Sequence, residues 1–184
     1  PNDSNAFFHR GNAFLKIGEV DLAIEDFAQF IRFSDYSAVG NALLGKTYAD
    51  HRSVLAGLRH LSQAILEDPQ NATYYLWRAD AHIKVEGYRA ALSDVHAALA
   101  IAPGLSLGHL YKSRVHRLSG DFEKALASAT EALRLEPDSA LALHERALVH
   151  NDRGDAQSAL SDLDLALASD PTLDSAYIDR GQAR

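Results

Sequence analysis

The stretch GDFEKALASATEALRLEP, residues 120–137, holds the pattern that decides the fold. It opens on Gly120-Asp121, places alanine at 125, and closes as Ala132-Leu133-x-x-x-Pro137. Glycine tolerates the left-handed backbone that ends a helix, and an acidic residue after it favours the next helix start. Proline then stops that second helix and begins a turn. The same frame returns as Gly154-Asp155, Ala159 and Ala166-Leu167 to Pro171. Upstream it appears as Ala98-Leu99 to Pro103 and Ala64-Ile65 to Pro69, so four prolines stand 34 residues apart. A fixed period of this length means a stack of like supersecondary units, each unable to bury its apolar face alone.

Counting from Ser4 sets units at residues 4–37, 38–71, 72–105, 106–139 and 140–173, with the first helix of a sixth, truncated unit at 174–184 acting as a cap. Position 8 of this register is small throughout: Gly11, Gly45, Ala79, Ser113, Ala147, Gly181. Position 20 reads Ala23, Gly57, Ala91, Ala125, Ala159, and position 27 reads Phe30, Ala64, Ala98, Ala132, Ala166. Small residues at fixed places on two helices let the backbones approach, and larger apolar residues fill the remaining gaps. The expected unit is helix–turn–helix. Unit two has Arg52-Ser53 at the turn and unit three moves its glycine to Gly87.

Period, small positions and closing proline together resemble the tetratricopeptide repeat family, in its bacterial-type form, over residues 4–184. The resemblance implies an all-α, right-handed superhelical solenoid of antiparallel helix pairs. Two departures stand out. The family aromatic near position 4 is kept as Phe7, Tyr75 and Tyr177 but is Asn41, His109 and Leu143 elsewhere. Unit one carries Phe30 in the alanine column and Asp35 in place of the proline, which predicts irregular packing between units one and two.

Composition narrows the function. A 47% hydrophobic content over 184 residues suffices for a continuous core. The chain has no run of about 18 apolar residues, so membrane insertion is not expected. With no cysteine there is no disulfide, thiol nucleophile or thiolate metal site. The net charge of −7 is concentrated in unit five, where Glu145, Asp152, Asp155, Asp162, Asp164 and Asp170 outnumber Arg146 and Arg153. Nucleic acid is therefore not an expected partner, because phosphate neutralisation needs clustered lysine and arginine. A cytoplasmic location is the default, with the periplasm left open. The chain begins at Pro1, contains no methionine and stops within a predicted helix, which reads as a piece of a longer protein.

Arg10, Arg78 and Arg146 hold position 7, and Asp26, Asp94 and Asp162 hold position 23. The two units without the arginine, at Leu44 and Lys112, also lack the aspartate and have His60 and Ser128. Both positions are equally far from the turn, so an ion pair within each repeat is the simplest reading. His82, His116 and His150 share position 11. Equivalent residues on stacked helices lie about 8–10 Å apart, whereas a shared zinc needs each nitrogen at about 2 Å. These histidines are read as core packing. No cofactor, metal site or catalytic constellation is expected, so the chain is read as a non-enzyme.

The family resemblance further implies that first helices line a concave groove through positions 2, 5, 6, 9, 12 and 13. Carried over, the peptide-binding candidates are Phe8, Asn12, Lys46, Leu76, Trp77, Asp80, Lys84, Leu110, Tyr111, Arg114, Arg117 and His144. Trp77 and Tyr111 are equivalent residues flanked by Leu76 and Leu110, with Lys46, Lys84 and Arg114 nearby. That set suits a protein or peptide with apolar and acidic anchors, since Trp, Tyr and Arg dominate binding hot spots. The leading expectation is a scaffold that captures a peptide or partner helix. The alternatives are a recruiting arm of a larger enzyme and a self-assembling homo-oligomer that uses the phenylalanine-rich first unit.

Overall fold

A computed structural model describes residues 3–183, which form eleven α-helices and no strand among the described residues. The fold is all-α, a succession of antiparallel helix pairs. The chain divides into two compact bodies, the first ending at Ile101 and the second beginning at Ala102, at the turn that holds Pro103. The first body contains α1 (Ser4–Lys16), α2 (Val20–Phe33), α3 (Ser37–His51), α4 (Val54–Glu67), α5 (Ala72–Lys84) and α6 (Tyr88–Ile101). The second contains α7 (Ser106–Leu118), α8 (Phe122–Leu135), α9 (Ala140–Asp152), α10 (Ala156–Ser169) and α11 (Asp174–Gln182).

Helices α4, α6, α8 and α10 all end two residues before a proline. Helix α2 ends equally far before Asp35, because Ser34 turns to an extended backbone at φ −117° and ψ 146° without help from a proline. The turn glycines Gly18, Gly120 and Gly154 take φ near +80°. In repeat three the left-handed residue is Glu86 at φ 56°, not Gly87. The turn therefore keeps its register position, and the displaced glycine leaves an ordinary L-residue in a strained conformation. The Asp121 and Asp155 side chains accept from the amides of Lys124 and Ser158, capping α8 and α10; Ser53 caps α4 through Ala56.

Small residues bring helices together at α3 and α4. A Cβ on Gly45 would stand 2.8 Å from the Leu61 backbone nitrogen, and one on Gly57 would stand 2.6 Å from the Gly45 carbonyl oxygen. These backbones touch, so neither position admits a side chain. Phe30 fits the alanine column because α3 offers Gly40 opposite it. A Cβ on Gly40 would lie 2.9 Å from the Phe30 ring and 2.5 Å from Ile31 Cγ1. The phenylalanines of the first repeat are consumed internally: Phe27 and Phe30 are buried, Phe7 lies 6.0 Å from Phe33, and Phe8 lies 5.6 Å from Phe30.

Two-pronged ion pairs join the helices of three repeats. Arg10 Nε and Nη2 donate to Asp26 at 2.7 Å each, Arg78 to Asp94 at 2.9 and 2.6 Å, and Arg146 to Asp162 at 2.7 Å each. All three carboxylates are buried, so the arginine fork replaces the water they lose. His82 and His150 sit beside two of these pairs, with Nε2 at 3.9 and 4.0 Å from Asp94 and Asp162. Burial holds His82 below the usual histidine range, against an upward pull from Asp94 and with a further downward push from Arg78. Among the described residues no group of three or more His, Asp or Glu converges on a metal position.

Candidate functional site

In the first body, helices α1, α3 and α5 present a pocket of about 200 Å3 lined by Asn12, Leu15, Leu43, Lys46, Thr47, Asp50, His51 and Trp77. Each helix contributes for a local reason. Asn12 and Thr47 turn their polar atoms onto their own helices, Nδ2 donating to the Phe8 carbonyl at 2.8 Å and Oγ1 to the Leu43 carbonyl at 2.8 Å. Their apolar carbons and the leucines are left to face the cavity. Trp77 is half-buried, with its ring 6.2 Å from that of Tyr74 and with Lys46 Nζ 5.8 Å above its face. A cation over indole is favourable and also orients the ring.

Next to the pocket runs a chain of alternating charges. Lys46 Nζ donates to Asp50 at 2.8 Å; Lys84 pairs with the same Asp50 and with Asp80 at 3.2 Å. Burial pushes the Asp50 carboxyl up, but hydrogen bonds from Lys46 and Lys84 more than reverse it and leave it below its ordinary value. Lys84 is the mirror case: burial pulls it down, and Asp50 with Asp80 carries it above the usual lysine value. These cations are matched within the body.

The second body has its own arrangement. Glu145, 2% exposed, receives Arg117 Nε at 2.9 Å and has Arg114 Nε at 3.6 Å; Arg117 Nη1 also reaches Asp152 at 3.1 Å. Arg114 lies 5.4 Å over the Tyr111 ring, and His144 Nε2 meets Asp179 at 2.6 Å. Arg117 is held above the ordinary guanidinium value because Glu145 and Asp152 outweigh its burial.

The structure corrects two of the candidates. Leu76 is fully buried and Leu110 is 4% exposed, the latter inside the cluster with Leu133 and Leu143. Position 5 turns into the core at Ala42, Leu76 and Leu110, while Phe8 and His144 in the same column stay partly exposed. Of the rest, Asn12, Lys46 and Trp77 converge on one pocket. Asp80 and Lys84 belong to the charge chain, and Phe8 packs on Phe30. Tyr111, Arg114, Arg117 and His144 stand in the second body. Of the other lining residues, Leu43 and Asp50 stand at positions 6 and 13 of the expected groove, and Leu15, Thr47 and His51 were missed. Position 12 of the register points to Leu15, whereas nothing in the sequence singles out Thr47 or His51.

Residues 112–174 match the family model described as tetratricopeptide repeat. The chain is similar to tetratricopeptide repeat protein 16 of Macaca fascicularis, 27% identical over 108 residues, and of Mus musculus, 28% identical over 109 residues. Each match covers 55% of this chain but only 12% and 14% of those proteins, so the chain spans a small part of their length. In fold it resembles TTC0263, a thermophilic protein with these repeats in Thermus thermophilus, with TM-score 0.88, 20% identity and 98% of both chains covered. It also resembles a chain of the Cut9–Hcn1 hetero-tetramer of APC/C, with TM-score 0.83, 16% identity, all of this chain and 36% of that one. A third likeness is a tetratricopeptide repeat protein from Parabacteroides merdae, with TM-score 0.75, 15% identity, all of this chain and 73% of that one.

Proposed function

From the tetratricopeptide repeat match over residues 112–174 and the repeated helix pairs, we propose that this chain is a tetratricopeptide repeat protein, a non-catalytic scaffold that captures a peptide or partner helix on the first helices of repeats one to three. The family supports protein–protein interaction in general. The observation that carries the finer reading is the pocket beside Trp77. It has apolar walls, a rigid aromatic edge and a volume of about 200 Å3, room for one large apolar side chain. Its charged neighbours are already paired, so the anchor is apolar and an acidic anchor contributes little here. The proposed organisation is five repeats, at 4–37, 38–71, 72–105, 106–139 and 140–173, with residues 174–184 as the cap.

Selection from a displayed peptide library against the whole chain tests this. The selected peptides should share one large apolar residue, and Trp77→Ala should weaken them by more than about tenfold, as for a hot-spot residue. Helix content by circular dichroism should stay unchanged. Peptides that bind the Trp77→Ala protein as tightly as the parent refute the reading.

A further inference from the structure

Repeat two breaks the arginine–aspartate pattern, and a pocket opens in it. In repeats one and three the position 7 arginine lies over the position 4 ring, Arg10 at 5.6 Å from Phe7 and Arg78 at 5.9 Å from Tyr75, and reaches across to the position 23 aspartate. Repeat two has Asn41, Leu44 and His60 at these places. Leu44 is turned into the core with Ala23 and Phe27. The space an arginine occupies elsewhere becomes a pocket of about 510 Å3 lined by Asn41, Tyr48, Ala56, Arg59, His60 and Gln63.

The hydrogen bonding fixes what this pocket offers. Asn41 Nδ2 faces the Glu67 carboxylate at 3.3 and 3.4 Å, so its Oδ1 points to His60 Nδ1 at 3.1 Å and accepts the proton there. The neutral ring therefore carries its lone pair on Nε2. Its plane stacks on Tyr48, with centroids 5.6 Å apart and an interplanar angle of 4°. The charged and titratable groups around it are Arg59 and Glu67 on α4 and Tyr48 on α3; α5 sends Arg78 only as far as Ser62, at 3.1 Å. Arg59 and Gln63 also line an adjoining hollow with Leu55, Leu58 and Leu66, and Leu55 and Leu66 are 68% and 76% exposed.

We propose that this outer face of repeat two docks an acidic side chain of a partner protein: the carboxylate enters between Arg59 and His60, and apolar residues flanking it settle on Leu55 and Leu66. The carboxylate accepts from the Arg59 guanidinium and the Tyr48 hydroxyl. His60 Nε2 takes one proton from solvent and donates to it, so binding is coupled to uptake of a proton. Burial and the Arg59 charge keep the empty site's His60 below its ordinary value, which leaves room for that uptake. A guanidinium fits less well. No aspartate waits at position 23, Arg59 stands at the rim, and Glu67 already accepts from Gln63 at 2.7 Å and from Asn41.

The test follows the His60 ring by NMR in the whole chain, titrated between pH 5 and 8. The probes are a blocked peptide with one glutamate flanked by leucines, its glutamine and arginine versions, and sodium acetate. Expected are an upward shift of the His60 midpoint with the glutamate peptide, binding of the glutamine version at least about tenfold weaker, and a like loss in Arg59→Gln. Trp77→Ala should change none of this, which separates the outcome from that of the first-helix pocket. Equal binding of the glutamine peptide, preference for the arginine peptide, or no shift of His60 overturns the proposal. So does acetate producing the whole effect with no gain from the peptide.

Discussion

Gly40 and Phe30 form a lock whose strength can be worked out from the geometry. Gly40→Ala adds a Cβ 2.9 Å from Phe30 Cδ1 and 2.5 Å from Ile31 Cγ1. Carbon atoms at rest sit about 3.5–4.0 Å apart, so the neighbours must give by roughly 1 Å. Overpacking of this kind costs about 1–3 kcal/mol, while replacing a mid-helix glycine returns about 0.5–1 kcal/mol. The net expectation is a loss of about 0.5–2 kcal/mol. In a Phe30→Ala background the ring is gone and Ile31 can swing into the vacated space. Gly40→Ala should then be neutral or stabilising there, even though Phe30→Ala alone costs about 3–5 kcal/mol. Urea unfolding of all four proteins, followed at 222 nm, gives the coupling directly, and about 1–2 kcal/mol is expected for residues in contact. An additive cycle, or a Gly40→Ala that stabilises the parent, refutes the interlock.

Glu86→Gly should raise the urea midpoint, gaining about 0.5–1 kcal/mol, because glycine adopts the left-handed turn without the penalty that glutamate bears; no gain would mean that the turn is unstrained. His82 gives a pH dependence whose sign is fixed. Its folded value lies below the 6.5 of a free histidine, so the unfolded chain takes up a proton first as pH falls. That stability is present above about pH 6.5 and is lost as pH drops through the folded value. His82→Gln should flatten the fall in urea midpoint between pH 7.5 and 5, and an unchanged slope would show that His82 does not contribute.

Much of the fold was legible because the backbone demands behind it are local. Pro69, Pro103, Pro137 and Pro171 mark helix ends, and Gly120 and Gly154 mark turns, each by what that residue alone permits. Repeat three shows the limit of reading residue by residue: Gly87 looked like the turn glycine, yet the stacked helices held the turn in place and Glu86 bore the strain. Phe30 was visible as an oddity, but its compensation at Gly40 depends on a contact between helices that no single column displays. The site was less legible. Leu76 and Leu110 sit in a column that varies from Ala42 to His144, so nothing in that column signals that these two face inward. The lysines and arginines of the first helices were plain to see. The i,i+4 pairs Lys46–Asp50 and Lys84–Asp80 are readable locally, but the links from Lys84 to Asp50 and from Arg117 to Glu145 and Asp152 span 28 to 35 residues and leave no local trace.

Those long-reach pairs also have a mechanical consequence. Within the first body Lys84 ties α5 to α3 through Asp50, and within the second Arg117 ties α7 to α9 through Glu145 and Asp152. Splaying either set of helices stretches ionic links before it parts any buried carbon. The Lys84–Asp50 link is partly open to solvent and weakens as salt rises, whereas Arg117 and Glu145 are shielded from it, so ionic strength becomes a dial on the elastic stiffness of the first body more than of the second.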